Sequence, residues 1–362
     1  MEYLNMTKSS IVLVAILGLI AVTGCRKEKL LEFPAPLTGG NGSGGSSFTP
    51  VTGTTWTDIN PDPTDRINTL ATVDNKLFVS KLWFGGINAL YNGSTFSYCN
   101  QTIATFGSGS GLEKMQQSSN GEWFATGSMG AYGVYSYDVS DPGYPWDAPT
   151  TLFTNANSAV KVDGVLYTGC SIAPYIRALG SQVGNDLDGN VSDLIEFNGE
   201  LIAGGNFANS GPTSVNNIAK WNGIEWLPLG TGLDGTVVDL ELYDGKLIAV
   251  GSFNQNGDGN VNCSRVAVWD GSTWEPLGTG LTGGSNSARK ALANGDELFI
   301  GGSFDSGGGV LSPNVIKWTG TDYESVAGGA PAFIGEMAIY DGKLYVANQF
   351  IIANSNFLLR LD

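Results

Sequence analysis

Residues 237–278 read VVDLELYDGKLIAVGSFNQNGDGNVNCSRVAVWDGSTWEPLG. The stretch divides into four runs rich in β-branched and aromatic residues: VVDLELY at 237–243, KLIAVGSF at 246–253, RVAVWD at 265–270 and STWEPLG at 272–278. Asp244-Gly245 separates the first two. Such a link supplies the positive φ angles of a tight hairpin and is the strongest short-range hairpin signal. A second tight turn separates the last two runs. The unit is therefore four consecutive antiparallel strands, A to D.

The same unit recurs on both sides. LIAGGNF at 201–207 and LFIGGSF at 298–304 match LIAVGSF at 247–253. IAKW at 218–221 and VIKW at 315–318 match VAVW at 266–269, and WLPLG at 226–230 and YESVAG at 323–328 match WEPLG at 274–278. Fainter copies extend the series, giving strand B anchors at Leu77, Trp123, Leu166, Leu201, Leu247, Leu298 and Leu344. Their spacing, roughly 35–50 residues, suits four-stranded propeller blades. A large apolar residue follows six positions after each anchor: Trp83, Met129, Ile172, Phe207, Phe253, Phe304 and Phe350. This column is expected to pack between blades. At the two ends, Leu361-Asp362 followed by Gly53-Thr54-Thr55-Trp56 reproduces the WD-GSTW of residues 269–274. The N-terminal segment should thus supply strand D of the last blade and remove an open edge. The expected fold is all-β, a single seven-bladed β-propeller over 53–362, or six-bladed if the second and third copies merge.

The pattern GGSF…NVIKW…W resembles kelch-like and galactose-oxidase-central-domain-like propellers. It is especially similar to the repeats of fungal cortical cell-polarity markers, which also occur in bacterial surface proteins. The resemblance is good over 191–350 and weak over 54–190, and it implies a fold rather than a reaction. Galactose oxidase binds copper with His and Tyr ligands, a site this chain has no histidine to build.

That absence of histidine excludes Ser-His-Asp and Cys-His catalysis by the chain alone, and every His-ligated metal. The formal net charge is −16, which disfavours nucleic acid as a partner. Cys25, Cys99, Cys170 and Cys263 form no CxxC pattern and suggest no pairing.

The first residues read as an address. Lys8 precedes an apolar run, Ile11 to Val22, too short to span a bilayer comfortably and suited to a signal sequence. It ends in Val22-Thr23-Gly24-Cys25, which resembles a bacterial lipoprotein signal. The resemblance implies cleavage after residue 24 and a lipid on Cys25, and Arg26 in place of Asp implies the outer membrane. Residues 25–52, with Pro34, Pro36 and GGNGSGGSS at 39–47, form a flexible tether.

Candidate sites are few. Eight residues before each anchor, on strand A, stand Thr69, Met115, Ser158, Asp193, Asp239, Lys290 and Glu336. Strand A is innermost in a propeller, so this column should face the central channel. Asp193, Asp239, Lys290 and Glu336, on four consecutive blades, could hold a cation or meet a polar ligand, or simply suit a water-filled channel. The reversed Gly295-Asp296 turn could put Arg289 in place of Lys290. Asn254, Asn256 and Asp258 lie in an oxygen-rich loop that could take calcium, though Arg265 stands where an EF-type loop needs Glu. Most Trp residues fall in repeat columns and read as packing. The long polar B-to-C loops at 208–215, 254–263 and 305–313 could carry binding. The chain is expected to be a non-enzymatic, monomeric, lipid-anchored propeller that binds a protein or glycan through this loop face. One alternative is a polysaccharide-acting enzyme using Asp193, Asp239, Glu336 or a tyrosine at the channel mouth. Another is a ligand-free spacer.

Overall fold

In a computed structural model, the described residues are 50–59, 67–73, 75–81, 88–91, 96–98, 112–128, 132–136, 151–152, 155–178, 180–285, 287–348 and 357–362. Cys25, the signal and nearly all of the tether lie outside them, as do Trp83, Cys99, Met129, Trp146 and Phe350. The described residues are all-β.

They contain seven four-stranded antiparallel sheets, each built A-B-C-D in neighbouring order. The A strands are Ile67–Val73, Leu112–Gln117, Ala156–Val162, Asn190–Phe197, Val237–Tyr243, Ser287–Asn294 and Glu336–Tyr340. We number the sheets 1 to 7 by them. In sheet 5, A is followed by Lys246–Gly251, Val266–Trp269 and Trp274–Pro276. The A–B turns take the left-handed backbone that Asn, Asp and Gly tolerate: φ is +53° and +78° at Asn198-Gly199, and +51° and +69° at Asp244-Gly245. In sheet 7 the fourth strand is Trp56–Asp58, with Trp56 opposite Leu361. The amides of Thr54 and Thr55 donate to the Asp362 carbonyl.

The strand D aromatic is a staple between sheets. Trp226 Nε1 donates to Val183 O (3.2 Å), Trp274 Nε1 to Leu229 O (2.9 Å) and the Tyr323 hydroxyl to Leu277 O (2.7 Å). In each case the acceptor precedes the strand A of the same sheet. Trp56 makes the corresponding bond to Gly329 O at 2.8 Å, although it comes from the other end of the chain.

Sheet-to-sheet packing follows a size rule. A Cβ on Gly204 would stand 2.6 Å from Val237 of the next sheet, and one on Gly169 would stand 2.5 Å from Val191. At the equivalent place sheet 5 has Val250, and sheet 6 answers with the small Ala288 in the same buried cluster. Large meets small, as dense packing requires. Phe207, Phe253 and Phe304 are buried as expected, at 3%, 0% and 1% exposure. Ile172 is not, at 44%. Sheet 3 has only residues 171–175 between its B and C strands, with no loop to fold over that side chain. Cys170 and Ile176 take up the packing instead.

The long B-to-C loops fold into small ladders of their own. Asn209–Ser210 pairs with Thr213–Ser214, and Ser306–Gly307 pairs with both Val310–Leu311 and Leu281–Thr282. Loop and D–A link are thus joined by backbone hydrogen bonds.

Candidate binding site: the central cavity

The A strands of sheets 1 to 6 carry a β-bulge near their start, as between Val191 and Asp193 or Val237 and Asp239, and that of sheet 7 begins at the equivalent residue, Glu336. The residue after the bulge, or the first residue of the strand in sheet 7, faces the third residue beyond the Leu77 or Leu201 type of anchor. By this register the column is Thr69, Lys114, Ser158, Asp193, Asp239, Lys290 and Glu336. Lys114 replaces the expected Met115. In sheet 2 the A–B hairpin closes through Ser118 and Glu122 around a three-residue tip, Ser119-Asn120-Gly121. The two-residue tips elsewhere put the column one residue later. Lys290 keeps its place, because Asn294 stands opposite Glu297.

The structure brings Asp193, Asp239 and Lys290 together, and Lys114 completes the group. Lys114 Nζ lies 2.6 Å from Asp193 Oδ1 and 3.1 Å from Asp239 Oδ1, and Lys290 Nζ lies 3.1 Å from Asp239 Oδ1. Lys114 thereby ties sheet 2 to sheets 4 and 5. The remaining carboxylate valences are filled. Asp193 accepts from Ser158 Oγ (2.9 Å), Leu194 N (2.8 Å) and, through Oδ2, Leu240 N (2.9 Å). Asp239 Oδ2 accepts from Ala291 N at 3.0 Å. Ser158 Oγ also lies 2.7 Å from Gln116 Oε1, so its one proton is shared between the two acceptors, and Gln116 Nε2 donates to Leu194 O. Asp193 and Asp239 are 1% and 3% exposed.

Burial acts against every charge here, and the outcome depends on partners. Burial tends to raise the Asp239 carboxyl, but Lys290 and Lys114 outweigh it and hold the group below the usual range. Burial works against the Lys290 ammonium too, yet Asp239 and then Glu336 hold it above its ordinary value. Lys114 is held up in the same way by Asp193 and Asp239. Glu241 and Glu336 are each pushed up to about 7, chiefly by burial.

Beside this cluster lies a cavity of about 500 Å³. All seven A strands line it, through Ala71, Gln116, Val160, Ile195, Leu240, Leu292 and Ala338 among others. Its lining runs from the charged cluster to the A–B turns, reaching Ser119, Glu196, Leu242 and Asn294. The cluster is therefore a floor, and the mouth lies at the turn end rather than at the B-to-C loops. Glu241, two residues beyond Asp239 on the same strand, belongs to the wall. Strand alternation alone would have placed it there. Glu336 belongs to the column but not to this lining.

The calcium loop is differently arranged. Asn256 is 7% exposed and spends its Oδ1 on the amides of Asn260 and Val261, both at 2.9 Å. Asn254 and Asp258 are exposed. Among the described residues no group of three or more His, Cys, Asp or Glu is gathered for a metal. Asp188 and Asp234 are linker residues: Asp188 Oδ1 accepts from the amides of Ala208 and Asn209, and Asp234 Oδ1 from those of Asn254 and Gln255.

No protein-family model and no curated protein matches the chain. Solved structures do. The extracellular domain of the putative hybrid two-component system BT4673 from B. thetaiotaomicron superimposes with a TM-score of 0.54 at 9% identity, over 84% of this chain and 39% of that one. This chain therefore spans about two fifths of that structure's length. YCF48 bound to D1 peptide superimposes with a TM-score of 0.52 at 13% identity, over 86% of this chain and 99% of that one. Both are β-propeller-type proteins, and the likeness shows that the described residues share the β-propeller fold.

Proposed function

We propose that this chain is a non-enzymatic cell-envelope lipoprotein, anchored through Cys25, whose closed seven-bladed propeller binds a partner protein at the central cavity. The observation that carries the reading is the cavity itself. Seven A strands converge on one open-mouthed space, and its floor is sealed by side chains that satisfy one another. Such a rigid, walled recess fits a binding module. The return of Trp56–Asp58 to pair with Leu358–Leu361 supports the closed ring.

Catalysis is the weaker reading on chemical grounds. A glycosidase needs two carboxyl groups facing an open groove, one of them free to give a proton. Asp193 and Asp239 share the ammonium of Lys114 and have their oxygens occupied by amides and a hydroxyl. The direction of binding also moves. The loop face has its backbone tied into ladders, so the turn end of the cavity is the better candidate surface.

The test uses the full chain, solubilised in mild detergent and immobilised, against envelope proteins and a glycan array. Partner capture that is lost in Leu242→Ser, at the cavity rim, supports the reading. Capture that survives it, or hydrolysis of a glycan, overturns it. The anchor is tested separately: Cys25→Ala should move the protein from the membrane to the soluble fraction.

A further inference from the structure

The charges around the cavity do not balance. Its lining carries four carboxyl groups, Asp193, Asp239, Glu196 and Glu241, and two ammonium groups, Lys114 and Lys290. The two lysines are spent on the two aspartates at 2.6–3.1 Å. The surplus therefore falls on the two glutamates. Glu196 sits toward the mouth and accepts from the Ser119 hydroxyl. Glu241 lies deeper. Its one hydrogen bond comes from the adjacent amide, Leu242 N to Oε1 at 3.0 Å, and among the described residues it makes no ion pair. Its second oxygen remains for a ligand. Level with Glu241 the wall carries Ile195 and Leu292, and one residue nearer the mouth it carries Leu242, Ala293 and Ile339; Leu242 at the rim is 41% exposed.

We infer that the cavity receives a long cationic side chain, lysine or arginine, presented by a partner polypeptide. The recess matches that side chain in two ways. Its aliphatic collar covers a methylene stem, and a carboxylate with an unused oxygen stands beyond the collar to meet the charged head. An acidic or purely apolar side chain would leave Glu241 desolvated without compensation. The volume, about 500 Å³, also leaves room for the stretch of backbone that carries the side chain. This inference rests on the cavity being the binding surface, and it names what that surface selects.

The experiment measures binding of Ser-Gly host peptides with one varied central residue, displayed in many copies on a polymer so that weak contacts are read by avidity. The full chain in detergent is compared with lysine, arginine, norleucine and glutamate at the centre. Lysine or arginine should bind at least tenfold more tightly than norleucine, with glutamate weakest. Glu241→Gln keeps the acceptor for Leu242 N and should cut the preference for cation over norleucine to under threefold. Its unfolding midpoint is measured alongside to show that the fold persists. Leu242→Ser should weaken all peptides alike. Equal binding of lysine and norleucine, or a preference unchanged in Glu241→Gln, overturns the inference. If the envelope-protein screen still yields a Leu242-dependent partner in that case, only the selectivity fails. Absence of both peptide and partner binding overturns the binding reading as well.

Discussion

Replacing Lys114 by methionine removes the ammonium that links sheet 2 to the aspartates of sheets 4 and 5. Methionine keeps most of the stem and deletes the charge. The ammonium sits 2.6 Å from Asp193 and 3.1 Å from Asp239. At an effective dielectric constant of about 20, a pair of unit charges some 3 Å apart attracts by roughly 5 kcal/mol. Desolvation of the lysine, several kcal/mol, offsets much of this gross attraction. What remains is the cost of leaving buried carboxylates short of a counter-charge, about 3–5 kcal/mol when one partner of such a pair is removed. Urea unfolding followed by tryptophan fluorescence reads this as a lower midpoint at unchanged slope. The double variant Lys114→Met, Asp193→Asn removes a cation and an anion together. It should lose less than the two single variants summed, by about 1–3 kcal/mol. A loss below about 1 kcal/mol for Lys114→Met, with additive behaviour in the double variant, is what a solvent-screened pair gives. That result would refute the sealed floor.

Three further outcomes follow from the same geometry. Trp56→Phe should cost about 1 kcal/mol, the usual worth of one hydrogen bond, here the one to Gly329 O; Trp56→Ala should cost more and speed amide exchange at Leu358–Leu361. A Trp56→Ala variant with unchanged exchange there would disconnect Trp56–Asp58 from the stability of sheet 7. Arg265 holds φ at +76°, where the equivalent Asn217 and Asn314 stand at +66° and +68°. Those asparagines reach Leu233 O and Ala330 O at 2.9 and 3.0 Å, whereas Arg265 reaches Leu281 O and leaves a buried Nε without a partner. Arg265→Asn should therefore raise stability by about 1–2 kcal/mol, through relief of strain and of an unsatisfied donor, and a drop in melting temperature would contradict the assignment. Stability should also fall as pH rises from about 5 to about 8. Glu241 and Glu336 titrate at about 7 in the folded chain against an ordinary 4.5. The folded state therefore holds more protons than the unfolded state in that window, and each group contributes up to about 3 kcal/mol to the decline. Glu241→Gln should flatten the profile measured by urea unfolding at each pH, and an equally steep decline would show that other groups set it.

The strands that pair locally were legible in the residues because their signals are local. Asp244-Gly245, the alternation in VVDLELY and the Trp that ends VAVW each act within a few residues, and the observed strands match them closely. The column on strand A was legible wherever the hairpin tip has two residues. Sheet 2 broke the count because Ser119-Asn120-Gly121 adds one residue to the tip, and a slip of one moves every side chain to the other face. This hid Lys114, the cation that organises the cluster. The alternation that would have located Glu241 was present in Asp239-Leu240-Glu241. What no local pattern carries is direction: which end of the channel opens depends on the summed lining of seven strands. Ile172 failed for a related reason, since burial at its position requires a long loop that sheet 3 does not have.

The pairing of Trp56–Asp58 with Leu358–Leu361 also sets a timetable. A chain made from its N-terminus presents residue 56 long before residue 361 exists. Strand Trp56–Asp58 cannot pair until Leu358–Leu361 has been made, and among the described residues this pairing joins the two ends of the fold. Contacts of such separation slow folding. The strand at one end of the described residues thus waits on the strand at the other, and sheet 7 gains its fourth member only when both are present.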